Sequence, residues 1–235
     1  PGDDLLQFNT TDAGNGEAFA HLFGDDLRFD WTRERWLRWT GHLWAPADYG
    51  HLTELAKTAA RRRYMQASHA GDRGEQQRKH AFRSEARGRV EASLFFARAE
   101  DPITDPGDGW DVDPWLIGCA NGVFDIRTGE FRAGRRDDRL TMQAGVSFDP
   151  AAECPLWHSF LRDVFNGDRE LIDYVHRAIG YSLTGSVRDD CFFVCYGSGA
   201  NGKSVFSEVL RIAFGDYGHH APFDLFDYSC RNQHP

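Results

Sequence analysis

The residues best suited to chemistry lie together at 197–204, where Gly197, Gly202, Lys203 and Ser204 fit the spacing GxxxxGK[ST] within "YGSGANGKS". Glycines let successive backbone N–H groups turn inward as a nest. A helix N-terminus placed after them adds its positive dipole end to the same hollow. Such a hollow suits a nucleoside triphosphate. Lys203 is expected to reach the β and γ phosphates as a point charge and Ser204 to ligate Mg²⁺, so these two are the candidate catalytic residues. Ser198, Gly199, Ala200 and Asn201 complete the candidate cradle. The plain alternative is a glycine-rich turn with a solvated lysine, and at Asn201 an asparagine that tolerates left-handed backbone.

The elements around the loop have to hold it. Upstream, "CFFVCY" (191–196) is continuously apolar, as expected of a parallel strand covered on both faces. Downstream, Val205, Phe206, Val209, Leu210, Ile212 and Ala213 fall at helical spacing, and Gly215 follows them as a terminator. Two more helices are expected before the strand. One carries Trp157, Phe160, Leu161, Val164 and Phe165, with Pro155 in its first turn and Asn166-Gly167 closing it. The other is capped by Asp168 and runs through Leu171, Ile172, Val175, Ile179 and Leu183.

Further upstream, "LIGCANGVFDIRTGEFRAG" alternates short apolar runs with turn residues at Asn121-Gly122 and Thr128-Gly129, which predicts a β-meander continued by "RLTMQAGVSF". Residues 101–114, with three prolines, read as a linker. Ala18, Phe19, Leu22 and Phe23 make a helical stripe ended by Gly24, and Trp36, Leu37, Arg38 and Trp39 alternate ahead of Thr40-Gly41-His42 as in a hairpin. Trp31, Trp36, Trp39 and Trp44 are expected in the core of this β-unit, with a base-stacking platform as the alternative.

The 235 residues, 41% of them hydrophobic, suffice for one large domain or two small ones. No apolar run reaches membrane-spanning length, and "PGDDLLQFNT" has neither a basic nor an apolar leader segment, so the expected setting is a cytoplasm without a membrane anchor. The five cysteines, Cys119, Cys154, Cys191, Cys195 and Cys230, lack the pairing of a zinc site and read as buried thiols. His219-His220 have no third ligand in view and read as loop residues. The net charge of −9 is unevenly spread: Lys57 to Arg98 holds eleven Lys or Arg against four Asp or Glu. That basic arm, expected as a helix through Leu52, Leu55, Ala56, Ala59 and Ala60 and a second through Phe82, Ala86, Val90 and Leu94, has two readings. One is a solvated face with Phe82 in the core. The other is a nucleic-acid contact through Arg61, Arg62, Arg63, Arg78 and Lys79, joined by Arg73, Arg83, Arg87 and Arg89, with Tyr64 or Phe82 stacking a base.

Taken as a series, these segments resemble a known family. "CFFVCYGSGANGKSVFSEVLRIAFGDY" is similar to the phosphate loop of superfamily-three helicases. The segments 121–132 and 146–193 resemble the poxvirus-type helper region that precedes it in phage and plasmid primase-helicases, and "TDAGNGEAFAHLFGDDLRF" and "RWLRWTGHLWAPAD" resemble that family's Thr-Asp-x-Gly-Asn and Trp…Gly-x-x-Trp elements. The resemblance covers nearly the whole chain. It implies an α/β protein: an α+β region over 1–110, a β-meander over 111–150, and over 151–235 a helical lead-in with the first part of an AAA+ ATPase sheet. It implies a hexameric motor that couples hydrolysis of ATP to movement on single-stranded DNA in replication, in a bacterial cytoplasm, encoded by a prophage or plasmid. It also implies a truncated chain, with Walker B, sensor and arginine-finger residues falling beyond Pro235, a primase before Pro1, and weak hydrolysis by these residues alone. A small-molecule phosphotransferase and a non-catalytic nucleic-acid-binding remnant are the alternatives.

Overall fold

The computed structural model describes residues 4–222, a mixed α and β fold with two small sheets. The chain divides between Trp110 and Asp111 into two compact units.

In the first unit, helix α1 (Asp12–Phe23) starts where the Thr11 hydroxyl accepts the N–H of Gly14 at 3.0 Å. Strands β1 (Leu27–Asp30), β2 (Arg35–Trp39) and β3 (Trp44–Pro46) follow as antiparallel neighbours. Trp39 faces Trp44 across the turn at Thr40–Leu43, so the expected hairpin forms. Helices α2 (Tyr49–His69), α3 (Glu75–Arg83) and α4 (Arg87–Ala97) come next, then β4 (Thr104–Asp105), which joins β1 in parallel and gives the order β3-β2-β1-β4. Residues 101–114 are therefore not linker throughout, because two of them complete the sheet.

Side-chain alternation puts the two faces of this sheet to different uses. Phe29 and Trp36 pack with Phe19, Leu52, Val90 and Leu94 of the helices, while Leu37 and Trp44 pack with Trp110 on the other face. The tryptophans thus divide between core clusters, half-buried Trp39 borders one, and only Trp31 is exposed, at 46%; they make no shared platform. Helix α1 crosses α4 closely: a Cβ on Gly16 would sit 2.7 Å from the Phe96 Cβ, so only glycine fits there. The second arm helix is broken in two at Ser84, whose N–H still reaches back to the carbonyls of His80 and Ala81 while the chain turns before Arg87.

The second unit opens with the meander β5 (Leu116–Cys119), β6 (Gly122–Asp125) and β7 (Glu130–Arg132), paired antiparallel in sequence order. Residues 139–148 do not continue it as a strand. They run beside β5 with scattered bonds, Ala144 N–H to the Gly118 carbonyl at 2.7 Å and Ala120 N–H to the Val146 carbonyl at 3.5 Å. Helices α5 (Pro155–Val164), α6 (Arg169–Leu183) and α7 (Lys203–Phe214) carry the expected end signals: Pro155 opens α5, the Asp168 carboxylate accepts the Leu171 N–H ahead of α6, and Gly215 at φ 55° ends α7. The far end of α7 is pinned where Tyr217 accepts the Gly118 N–H at 2.9 Å and donates to the Met142 carbonyl, with its pKa pushed up to about 12 chiefly by burial.

The expected strand at 191–196 is absent. No described strand lies beside it to take its backbone bonds, and Phe192 and Tyr196 are 82% and 90% exposed, so the parallel ATPase sheet is not formed among the described residues. Cys191, Cys195 and Cys154 are exposed, and only Cys119 is the expected buried thiol; Cys230 lies outside the described residues. No helix among the described residues is long and apolar enough to cross a membrane.

Candidate functional site

The glycine loop sits where α7 begins. Gly197, Ala200 and Gly202 take φ of 154°, 59° and 82°, and Gly202 is the residue immediately before the helix. The left-handed position inside the loop falls on Ala200 and not on Asn201. Asn201 is used through its side chain: the Lys203 Nζ donates to the Asn201 Oδ1 at 2.7 Å and to the Gly197 carbonyl at 3.1 Å, which draws both ends of the loop around one ammonium. A Cβ on Gly197 would lie 2.0 Å from the Asn201 Nδ2, and one on Gly202 would meet Val164 and Phe160 of α5 at 2.8 Å and 3.1 Å. Neither site accepts a side chain. The first intrahelical bond at this end runs from Phe206 N–H to the Gly202 carbonyl, so the earlier N–H groups of α7 face the loop's hollow.

Of the predicted cradle, Gly197, Asn201, Gly202 and Lys203 are brought together, while Ser198, Gly199 and Ala200 form an exposed tip and Ser204 is exposed at the start of α7. Beside the loop, the end of α5, α6, residues 192–196 and α7 enclose a cleft of about 670 Å³, mostly apolar and aromatic, with Asn201, Lys203, Ser182 and the tyrosines Tyr174 and Tyr196 as its polar members. Glycine N–H groups, an ammonium and a hydroxyl fit a polyphosphate. For Mg²⁺ the loop offers Ser204 alone; no cluster of three His, Cys, Asp or Glu suited to a metal occurs among the described residues, His219 and His220 included. A metal here would be held largely through phosphate oxygens.

The five predicted nucleic-acid residues do not form one patch. Arg63 is 1% exposed and belongs to the interior: its Nη1 donates to the Asn15 Oδ1 at 2.6 Å and its Nη2 to the carbonyls of Phe8 and Asn9 and to the Gln77 Oε1. Burial lowers its pKa from the usual arginine value. Arg61 is forked onto Glu85 through two bonds of 3.0 and 2.8 Å. Arg62 is exposed on α2, while half-buried Arg78 and exposed Lys79 belong to α3; the Arg73 side chain lies outside the described ones. Phe82 is 72% exposed, so of its two readings the one that placed it in the core does not hold.

Sequence reasoning missed the hub of this region. Asn15, 6% exposed, accepts from Arg63 and contacts the His80 Nε2 at 3.1 Å through its Oδ1, and donates from its Nδ2 to the Ser84 Oγ at 3.0 Å. An arginine only donates, so Oδ1 is the acceptor and His80 must carry its proton on Nε2, leaving Nδ1 to face the Arg89 Nη1 at 3.5 Å. Burial, then the charges of Arg63 and Arg89, depress the His80 pKa and keep the ring neutral. The signal was the Thr-Asp-x-Gly-Asn element, whose last residue is this asparagine.

Residues 16–166 match the family described as D5 N terminal like. The chain is 32% identical over 119 residues to the protein named "Putative helicase L207/L206" of Acanthamoeba polyphaga mimivirus and 30% identical over 118 residues to "Putative helicase 184R" of Invertebrate iridescent virus 6. Those alignments take 49% and 48% of this chain but 12% of each relative. A 42-residue stretch is 48% identical to "Putative helicase 022R" of Frog virus 3, covering 18% of the chain and 4% of that protein.

Proposed function

Because the chain belongs to the D5 N-terminal-like family and has viral proteins named as helicases among its relatives, we propose that it is the nucleotide-binding part of a phage- or plasmid-type replicative primase-helicase. The observation that carries this reading is the loop at 197–204, closed around the Lys203 ammonium at the N-terminus of α7. On binding ATP, Lys203 exchanges the Gly197 carbonyl and the Asn201 Oδ1 for phosphate oxygens, and the loop N–H groups and helix dipole supply the remaining positive potential. Ser204 would be the protein ligand to Mg²⁺, which when bound would supply positive charge to the transferred group. In the full assembly, a hexamer on single-stranded DNA, this binding is the step that hydrolysis turns into movement.

Titration calorimetry of this chain with ATP and Mg²⁺ tests the assignment. Lys203→Ala is expected to weaken binding at least about tenfold, in keeping with loss of a charge-assisted contact. Unchanged affinity would assign the loop to the plain alternative, a turn with a solvated lysine. Turnover by the full-length protein that ignores single-stranded DNA would favour the phosphotransferase.

A further inference from the structure

A second basic site lies far from the glycine loop in sequence. Between Thr10 and the helices α3 and α4 is an open pocket of about 470 Å³ whose charged lining is Lys79, Arg83 and Arg89 against one carboxylate, Glu75. Its back wall is the neutral ring of His80, held by Asn15. We propose that this pocket holds a backbone phosphate of single-stranded nucleic acid, with Phe82 as the stacking surface beside it.

Three features select that ligand. First, the cations are available. Arg83 has no carboxylate partner among the described residues, Arg89 has only a long 3.4 Å pair to Asp12, and Lys79 and Glu75 form an exposed pair of the kind that contributes little and gives way to a stronger anion. Second, they are held in place. His80 turns its Nδ1 toward Arg89, and the buried bonds of Asn15 to His80, Arg63 and Ser84 tie α3 to α1 and α2 beside Thr10, which lines the pocket. Third, Phe82 follows Lys79 by three residues, which makes the two neighbours on the surface of α3 beside the pocket, and it stands at 72% exposure with no core to fill. Cations tracking a backbone next to an exposed aromatic ring is the combination that binds single strands without reading their sequence. A free anion would need the cations and leave Phe82 without a role.

The inference shares with the proposed function the premise that the chain works on nucleic acid, but stands on different residues. The test is fluorescence anisotropy of a labelled oligothymidylate with this chain over a salt series. Arg83→Ala is expected to weaken binding severalfold and to reduce the steepness of the log affinity against log salt plot by about 0.7, the share of one single-strand phosphate. Phe82→Ala is expected to weaken binding about tenfold while leaving that steepness unchanged. Both side chains are exposed, so neither change threatens the fold. The proposal is overturned if the oligonucleotide does not bind, if neither variant alters binding, or if inorganic phosphate binds with the same dependence on Arg83 while Phe82→Ala has no effect on the oligonucleotide. ATP affinity measured on the same samples reports on residues 197–204, so either proposal can fail visibly without the other.

Discussion

Replacing Asn15 with alanine should be among the most damaging single changes in the first unit, although it removes only a small polar group. The Asn15 Oδ1 is the acceptor for two buried donors, the Arg63 Nη1 at 2.6 Å and the His80 Nε2 at 3.1 Å, and the Asn15 Nδ2 serves the Ser84 hydroxyl. The Arg63 Nε already has no partner, so Asn15→Ala would leave that guanidinium bonded through Nη2 alone. An orphaned buried donor costs about 1–3 kcal/mol, more when charged, and two of them here set the loss at about 3–5 kcal/mol. Against a total stability of about 5–15 kcal/mol that is a large fraction. Urea unfolding followed by far-UV circular dichroism should show it as a midpoint lowered by roughly 1–5 M, given a slope of about 1–3 kcal/mol per molar. A double-mutant cycle supplies the sharper check. Once Asn15 is alanine, Arg63→Met should cost much less than it does in the parent, because the charge it removes is already poorly satisfied. Additive losses, or a midpoint shift under about 0.5 M, would refute the account of Asn15 as the acceptor that makes a buried arginine tolerable.

The pH dependence of stability follows from His80. Its folded pKa is depressed by burial and by Arg63 and Arg89, with Asp12 opposing, so the unfolded chain takes up the proton first; the stabilisation is complete above the ordinary value of 6.5 and is lost as pH falls through the depressed one. Urea midpoints at pH 7.5 and 5.5 should therefore differ more for the parent than for His80→Gln, and equal differences would remove His80 from the explanation. In the apolar core, Phe19 is fully buried with its ring edge-on to Phe23 and Trp36, so Phe19→Ala should cost about 3–5 kcal/mol in the same unfolding assay, whereas Phe82→Ala should stay within about 0.5 kcal/mol of the parent.

Local signals in the sequence served well wherever the governing interaction is itself local. Pro155, Asp168 and Gly215 mark helix ends because caps act within one turn, and the Trp39–Trp44 hairpin and the meander follow from short alternating runs joined by turn residues. Interactions over long separations were less legible. The apolar run at 191–196 has the composition of a buried strand, but strand formation needs a neighbour, and none is present among the described residues. Two residues of β4 were hidden in a proline-rich segment because their partner, β1, lies more than seventy residues earlier. Arg63 was grouped with Arg61 and Arg62 by charge, yet it follows Ala56 by seven residues and Ala60 by three, which puts it on the buried stripe of α2. Helical period outweighs charge there because Asn15 and the carbonyls of Phe8 and Asn9 supply an acceptor set inside. At the glycine loop the residue types were legible, and the lysine's bonds to Gly197 and Asn201 were not.

The parallel pairing of β4 with β1 also bears on how the first unit is made. Strands β1, β2 and β3 are consecutive and can zip together once residue 46 has left the ribosome, but the edge of β1 that takes Thr104 and Asp105 stays open while α2, α3 and α4 are synthesised. At about 5–20 residues per second that interval lasts several seconds, far longer than a hairpin needs to form. The nascent chain therefore carries a bare sheet edge for most of its assembly, and closing the loop between β1 and β4 makes this contact the entropically costly, late step of folding.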